Sequence, residues 1–171
     1  MKSTDAMQPA GTLQEKWISL IEQATREVFE LMLGTQVVRS VEDAQGETNI
    51  TAMVGLAGGL CGLMALRCSR KTANRMAAKM LGVEPAANGH EVQDAFGEIC
   101  NMVAGNFKHQ LEEVGANCML SAPTVIAGSD YSLYPAPDSG EGRLTILFEG
   151  NPLTITLEIQ NASDDHRSKR S

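Results

Sequence analysis

The segment DAFGEICNMVAG, residues 94–105, carries acid and amide side chains at a helical spacing. At about 100° per residue, Asp94, Glu98 and Asn101 fall within about 60° of one another on one helix face. A carboxylate can pair with a cation, and a carboxamide can accept and donate hydrogen bonds at the same time. Gly105 continues this face, although glycine inside a helix costs about 1 kcal/mol relative to alanine. We therefore predict an exposed polar face that another group approaches closely at Gly105.

The opposite side of this segment is apolar, and its apolar residues recur at helical spacing over about 91–114. This pattern predicts a long helix whose apolar stripe packs against the rest of the fold. A polar surface is ordinary on the outer side of such a helix, so periodicity alone leaves a purely structural role open. The predicted stripe consists of Val92, Phe96, Ile99, Val103 and Phe107.

The remaining elements follow from the same periodicities and from turn residues. Leu31 and Met32 belong to the predicted apolar stripe of a first long helix. In chain order we expect a helix over 13–33, short strands within 36–67 that turn at Gly58-Gly59, a helix between Ser69 and Gly82, a helix over 91–114, and strands at about 118–126, 143–148 and 153–159.

This order of elements is an approximate internal repeat of a long helix followed by strands. Strands joined by hairpins favour an α+β fold in which the two long helices pack on one face of an antiparallel sheet. We expect a single domain over residues 13–160, a flexible N-terminus over 1–12 and a disordered polar tail over 161–171.

The composition argues against several classes of partner. The net charge of −7 indicates no electrostatic footprint for nucleic acid or anionic lipid, because both partners need Lys and Arg to displace their counterions. The uncharged run from Ile50 to Leu66 is shorter than the roughly 18 residues of a membrane helix. The first residues contain no apolar core of a secretory signal, so we expect a cytoplasmic protein with no nucleic-acid or membrane partner.

Cysteine and histidine spacing indicates neither a zinc site nor a redox dithiol nor a catalytic triad. Cys100 lies at the edge of the predicted apolar stripe, and a small buried side chain is the simplest interpretation. The glycines around the hairpin are not followed by Lys-Ser/Thr, so we predict a turn and not a phosphate loop. The cysteines are Cys61, Cys68, Cys100 and Cys118, and the histidines, predicted to lie on the surface, are His90, His109 and His166.

The spacing Asp94-x3-Glu98-x2-Asn101, followed by SAPTVIAG with Pro123, resembles the D/S-x3-E-x2-N…P signature of the CheC/CheX/FliY chemotaxis phosphatases. The resemblance extends over nearly the whole chain and is strongest over residues 92–128. The chain is most similar to the CheX branch, because the first long helix lacks the amide of a second site. Aligning the two long helices on their repeat places Glu30 opposite Glu98 and Leu33 opposite Asn101.

The resemblance implies an enzyme that hydrolyses the phospho-aspartate of a CheY-like response-regulator receiver domain. By this analogy Asn101 orients the attacking water and Glu98 docks by pairing with a receiver lysine, while Asp94 and Gly105 contact the partner. Pro123 fixes the turn beside the helix and takes no part in the chemistry. The resemblance also implies a homodimer. It further implies that the protein has no metal or cofactor of its own, because the receiver holds the Mg²⁺.

Two other functions remain open at the level of the sequence. The same fold builds flagellar-switch components, so the chain is alternatively a non-catalytic module that binds a receiver or a motor protein. An unrelated α+β ligand-binding domain is the other alternative, and it requires the motif to be a coincidence. Retention of both Glu98 and Asn101 favours the phosphatase.

Overall fold

A computed structural model of the chain describes residues 13–42, 46–86, 89–135 and 139–160. The predicted order of long helix, strands, short helix, long helix and strands is confirmed. The elements are α1 (Leu13–Leu33), β1 (Val38–Arg39), β2 (Ile50–Gly58), β3 (Gly62–Cys68), α2 (Arg70–Leu81), α3 (Glu91–Gln110), α4 (Glu112–Ala116), β4 (Cys118–Leu120), β5 (Thr124–Ala127), β6 (Ser139–Phe148) and β7 (Asn151–Gln160).

The strands form one seven-stranded antiparallel sheet in the order β1-β6-β7-β3-β2-β4, with β5 also paired to β2. When β5 is taken as the neighbour of β2, the order β1-β6-β7-β3-β2-β5 is unchanged by exchanging β1 with β5, β6 with β2 and β7 with β3, and β4 lies outside this repeat. The long helices obey the same exchange, because α1 packs over β6 and α3 packs over β2. The predicted α+β fold with an internal repeat and two long helices on one sheet face is therefore confirmed.

Alternating strand residues and the buried sides of the helices form one continuous apolar core. Phe29 of α1 meets Phe148 of β6 edge-to-face, with ring centroids 5.7 Å apart, and this contact seats the first helix on its strand. Asn106 of α3 donates a hydrogen bond of 2.8 Å to the Glu27 carboxylate of α1, which joins the two long helices at their outer surface.

Helix α2 has the two caps that the sequence predicts. The Ser69 hydroxyl accepts a hydrogen bond from the backbone N–H of Thr72 at 3.1 Å. At the other end Gly82 adopts a φ of 72°, and its N–H donates to the Ala78 carbonyl. Arg75 and Lys79 pair with Glu149 in the β6–β7 turn, and hydrogen bonds from Lys79 and Arg75 lower the pKa of that carboxyl.

The structure differs from the prediction in two element boundaries and in the burial of one helix stripe. The second long helix ends at Gln110, because Glu112 adopts a φ of 51°, which does not continue a right-handed helix. The strand predicted over 118–126 is two strands, interrupted where Pro123 lacks an N–H for the ladder. The stripe of α1 was predicted to include Leu31 and Met32, which are 83% and 38% exposed.

The β2–β3 hairpin turns at the predicted glycine pair. Gly58 has a φ of 109°, and a Cβ there would lie 2.2 Å from the Asn117 carbonyl oxygen, so side chains are excluded at this position. Within the described ranges, no helix is both long and apolar enough to cross a membrane. The predicted N-terminus over 1–12, the tail over 161–171 and His166 lie outside the described residues.

Candidate functional site

Helix α3 separates into the two faces that its periodicity predicts. The five residues of the apolar stripe are at most 8% exposed, whereas Asp94 and Glu98 are exposed and Asn101 is half-buried. Across the ranges that the structure describes, the side chains of Glu98 and Asn101 have no hydrogen-bonding or ionic partner. Both functional groups are thus presented to the outside of the fold, one helical turn apart.

Pro123 lies against this helix beside the polar face. A Cβ added to Gly97 would lie 3.1 Å from Val125 Cγ2 and 3.4 Å from Pro123 Cβ, so the absence of a side chain at Gly97 lets the β4–β5 segment approach. A shallow groove of about 430 Å³ runs between Asp94 and this segment. Pro123 therefore forms a wall beside the candidate site. Gly97 was not predicted as a site residue, although a glycine inside a helix and next to Glu98 is a signal for close packing.

Gly105 occupies the end of the same face and is half-buried. Apart from its chain neighbours and the backbone of α3, no heavy atom of the described residues lies within 4 Å of the position where its Cβ would be. Packing among the described residues therefore does not require a glycine here, in contrast to Gly97. The hypothesis that a partner approaches at Gly105 remains a prediction.

The corresponding face of α1 is offset from the predicted alignment. Leu33 is 5% exposed, so it cannot correspond to the half-buried Asn101. Superposing the buried positions of the two helices instead places Glu27 opposite Glu98, Glu30 opposite Asn101 and Gly34 opposite Gly105. The alignment predicted from the sequence is therefore wrong by three residues. A shift of three residues rotates the pattern of a helix by only about 60°, so the two alignments are hard to tell apart from periodicity alone. The conclusion that α1 lacks the amide still holds, since Glu30 is a carboxylate.

The carboxylate at the α1 position equivalent to Glu98 is bound within the protein. Glu27 accepts hydrogen bonds from Gln23 at 3.0 Å and from Asn106 at 2.8 Å. These bonds lower the pKa of Glu27. The two repeats thus differ at both positions of the pair. Glu98 has no such donors among the described residues, in contrast to Glu27, and the position of Asn101 is occupied by Glu30 in α1.

A profile of the family described as Chemotaxis phosphatase CheX matches residues 50–149, more than half of the chain. The chain belongs to this family. The matched range contains α2, α3 and Pro123, and so includes the whole candidate site of this CheX family member. A relative, the CheY-P phosphatase CheX of Thermotoga maritima, is 26% identical over 117 residues, which cover 68% of this chain and 76% of the relative.

Solved structures of CheX proteins share the fold. The chemotaxis protein CheX of Desulfovibrio desulfuricans superposes with a TM-score of 0.73 at 21% identity, covering 85% of this chain and 99% of that chain. The CheX-CheY-BeF3-Mg complex of Borrelia burgdorferi contains a chain that superposes with a TM-score of 0.69 at 21% identity, covering 85% of this chain and 98% of that chain.

The thiols of this CheX family member do not supply a nucleophile near the site. Cys100 is buried in α3, donates to the Ala52 carbonyl at 3.6 Å, and burial raises the pKa of its thiol to about 12. The prediction of a small buried side chain is confirmed. Cys68 is buried too, with a pKa raised by burial to about 12, while His90 and His109 are exposed as predicted. In the described part of the chain, no three His, Cys, Asp or Glu residues are grouped to hold a metal ion.

We predict that Gly105→Ala raises stability and lowers docking at the same time. Alanine fills open space in a helix and removes the propensity cost of glycine, so the free energy of unfolding should rise by about 0.5–1 kcal/mol in denaturant titrations. If a partner approaches the backbone there, the added methyl group should weaken binding of that partner. A variant that is more stable and binds a receiver as well as wild type would show that nothing approaches Gly105.

Proposed function

We propose that this protein is a phosphatase that hydrolyses the phospho-aspartate of a CheY-like response-regulator receiver domain. Membership in the CheX family and the relative named CheY-P phosphatase support this function. The observation that carries it is the pair on the outer face of α3, in which the exposed Glu98 and the half-buried Asn101 present a carboxylate and a carboxamide without partners among the described residues. A non-catalytic binding module needs no such amide.

In the proposed mechanism the Asn101 amide positions a water molecule in line with the phosphorus atom. Its carbonyl accepts a hydrogen bond from the water, and its NH₂ group donates to a phosphoryl oxygen. A carboxylate at the same position would repel the phosphoryl oxygens. Glu30, which occupies the equivalent position on α1, therefore lacks this function, and we propose a single catalytic site per chain.

Glu98 is proposed to dock by pairing with a receiver lysine. The carboxylate lies one helical turn from Asn101, so the same insertion that pairs Glu98 brings the amide toward the phosphoryl group. Asp94 and Gly105 extend this face at its two ends and are proposed to contact the partner. Pro123 is proposed to act only structurally, by holding the β4–β5 segment against Gly97.

The receiver is proposed to supply the metal ion. The CheX-CheY complex of Borrelia burgdorferi contains Mg²⁺ together with BeF3, which is consistent with a metal in the receiver. We propose that this chain contributes no metal or cofactor of its own. Tight stoichiometric Mg²⁺ binding by the isolated protein, measured by calorimetry, would contradict this division.

We further propose that the protein is a homodimer that pairs through sheet edges. β1 pairs only with Ile146 and Leu147 of the ten-residue β6, so much of the outer edge of β6 has no strand partner within the described ranges. Such edges are usually covered in native proteins. Light scattering at micromolar concentration should give the mass of two chains, and the mass of one chain would contradict the proposal.

The function is tested by a dephosphorylation panel across the receiver domains of the host organism. Each receiver is phosphorylated with acetyl phosphate and Mg²⁺, the donor is removed, and phosphate loss is followed with and without this protein. We expect strong acceleration for at least one receiver. Binding without acceleration would support the flagellar-switch type of binding module instead.

A further inference from the structure

One large apolar side chain on the helical surface is left almost uncovered. Leu31 of α1 is 83% exposed, although most of the other apolar side chains of its helix are buried or partly buried. Helical spacing puts Leu31 on the same flank as Glu27 and Ala24, four and seven residues earlier. Glu27 bonds to α3 and Ala24 is fully buried, so this flank faces the seam between the long helices.

The two long helices run antiparallel, which fixes the level of Leu31 along the seam. Glu27 is bonded to Asn106, while at the other end Trp17 and Leu111 line one common cavity. Because the helices are antiparallel, a step of one turn from Glu27 toward the C-terminus of α1 reaches the same level as a step of one turn from Asn106 toward the N-terminus of α3. Leu31 accordingly lies at the level of Met102, the residue that follows Asn101.

Leu31 and Met102 are also equivalent in the internal repeat, since aligning the buried positions pairs Glu27 with Glu98 and Leu31 with Met102. The two residues therefore lie on either side of the pseudo-twofold axis. Met102 is partly buried and packs against the core, whereas Leu31 projects outward. Together they form an apolar patch, Leu31 and Met102, beside Asn101 and Glu98.

The charges around this patch identify its occupant. Glu27, Glu30, Asp94 and Glu98 carry negative charge on the outer surface of the two helices. A second copy of the chain would bring the same carboxylates face to face, and like charges at an interface disfavour association. A receiver that supplies a lysine to Glu98 has the complementary charge. Specific interfaces cover about 800 Å² per partner, more than one strip of α3 can provide.

We propose that the apolar patch, with Leu31 as its exposed member, is an anchor on which the receiver domain packs while Asn101 and Glu98 enter its active site. This inference rests on the proposed phosphatase function. The anchor acts in docking, because Leu31 carries no group that can take part in phosphoryl transfer. The receiver surface that it meets is apolar and flanked by basic side chains.

Leu31→Ala tests the anchor, with Leu13→Ala as the matched control. Leu13 is also an exposed leucine of α1, at 61%, but it lies at the far end of the helix. For the receiver identified in the panel, we expect Leu31→Ala to raise KM, and the Kd of the BeF3-loaded receiver with Mg²⁺, about five- to tenfold. kcat should not change. Leu13→Ala should leave all three constants at their wild-type values.

Salt dependence separates the anchor from the charges around it. Screening weakens Coulombic attraction but not apolar packing, so the Leu31→Ala effect should be equal at low and high ionic strength. The effect of Glu98→Ala should shrink with salt. Wild-type Kd and KM for Leu31→Ala would overturn the anchor while leaving the phosphatase intact. Loss of the homodimer in Leu31→Ala would overturn it in favour of a second copy, and a wild-type protein without activity or binding would overturn both proposals.

Discussion

Replacing Asn101 with alanine is expected to lower kcat about a hundredfold or more and to leave KM nearly unchanged. The amide makes its useful hydrogen bonds to the attacking water and the phosphoryl oxygens mainly in the transition state. Removing one positioned donor of this kind typically costs a factor of about 10²–10³ in rate. Single-turnover phosphate release at increasing concentrations of enzyme separates kcat from KM for this comparison.

Two variants sharpen this test of Asn101. Asn101→Asp keeps the size of the side chain but brings a charge toward the phosphoryl oxygens, so its rate should not recover above that of the alanine variant. Asn74→Ala removes an exposed asparagine from α2 and should retain the wild-type rate. Full activity in a folded Asn101→Ala protein would remove the amide from the mechanism and favour the binding-module function.

The two faces of α3 could be predicted from the sequence because both depend on the period of one helix. Helix geometry alone places Asp94, Glu98 and Asn101 on one side, whatever the helix packs against, and the opposite apolar stripe has to be buried. The groove wall could not be predicted in this way. The contact of Gly97 with Pro123 joins residues that are distant in sequence, so it depends on how β5 pairs with β2.

Leu31 illustrates the opposite error, in which periodicity predicts too much burial. Its position falls within the apolar stripe of α1 by spacing, yet the stripe is wider than the surface that the sheet and α3 cover. The three-residue error in the alignment of the helices has a related cause, because neighbouring turns of one helix have nearly the same pattern. Burial depends on the packed fold, and it identifies Glu30 as the counterpart of Asn101, because Leu33 is buried.

Replacing Glu98 with alanine is expected to weaken docking itself, in contrast to the Asn101 variant. A carboxylate paired with a lysine in a desolvated interface contributes to the ground-state complex, and removing one partner costs on the order of 2–5 kcal/mol. The Kd for a BeF3-loaded receiver should therefore rise at least about thirtyfold. Isothermal calorimetry with wild-type and variant protein at equal ionic strength measures this change directly.

The control for Glu98→Ala has to separate a local pair from a general loss of negative charge. Glu113→Ala removes the same charge from α4, at the far end of α3, and should alter Kd only slightly. Both glutamates are exposed, so neither substitution should change the free energy of unfolding by more than about 0.5 kcal/mol. If Glu98→Ala and Glu113→Ala weaken binding equally, the charge of the whole surface attracts the receiver and no specific pair forms at Glu98. If Glu98→Ala instead lowers kcat at unchanged Kd, the carboxylate acts on the reacting atoms, and the division of roles between Glu98 and Asn101 is wrong.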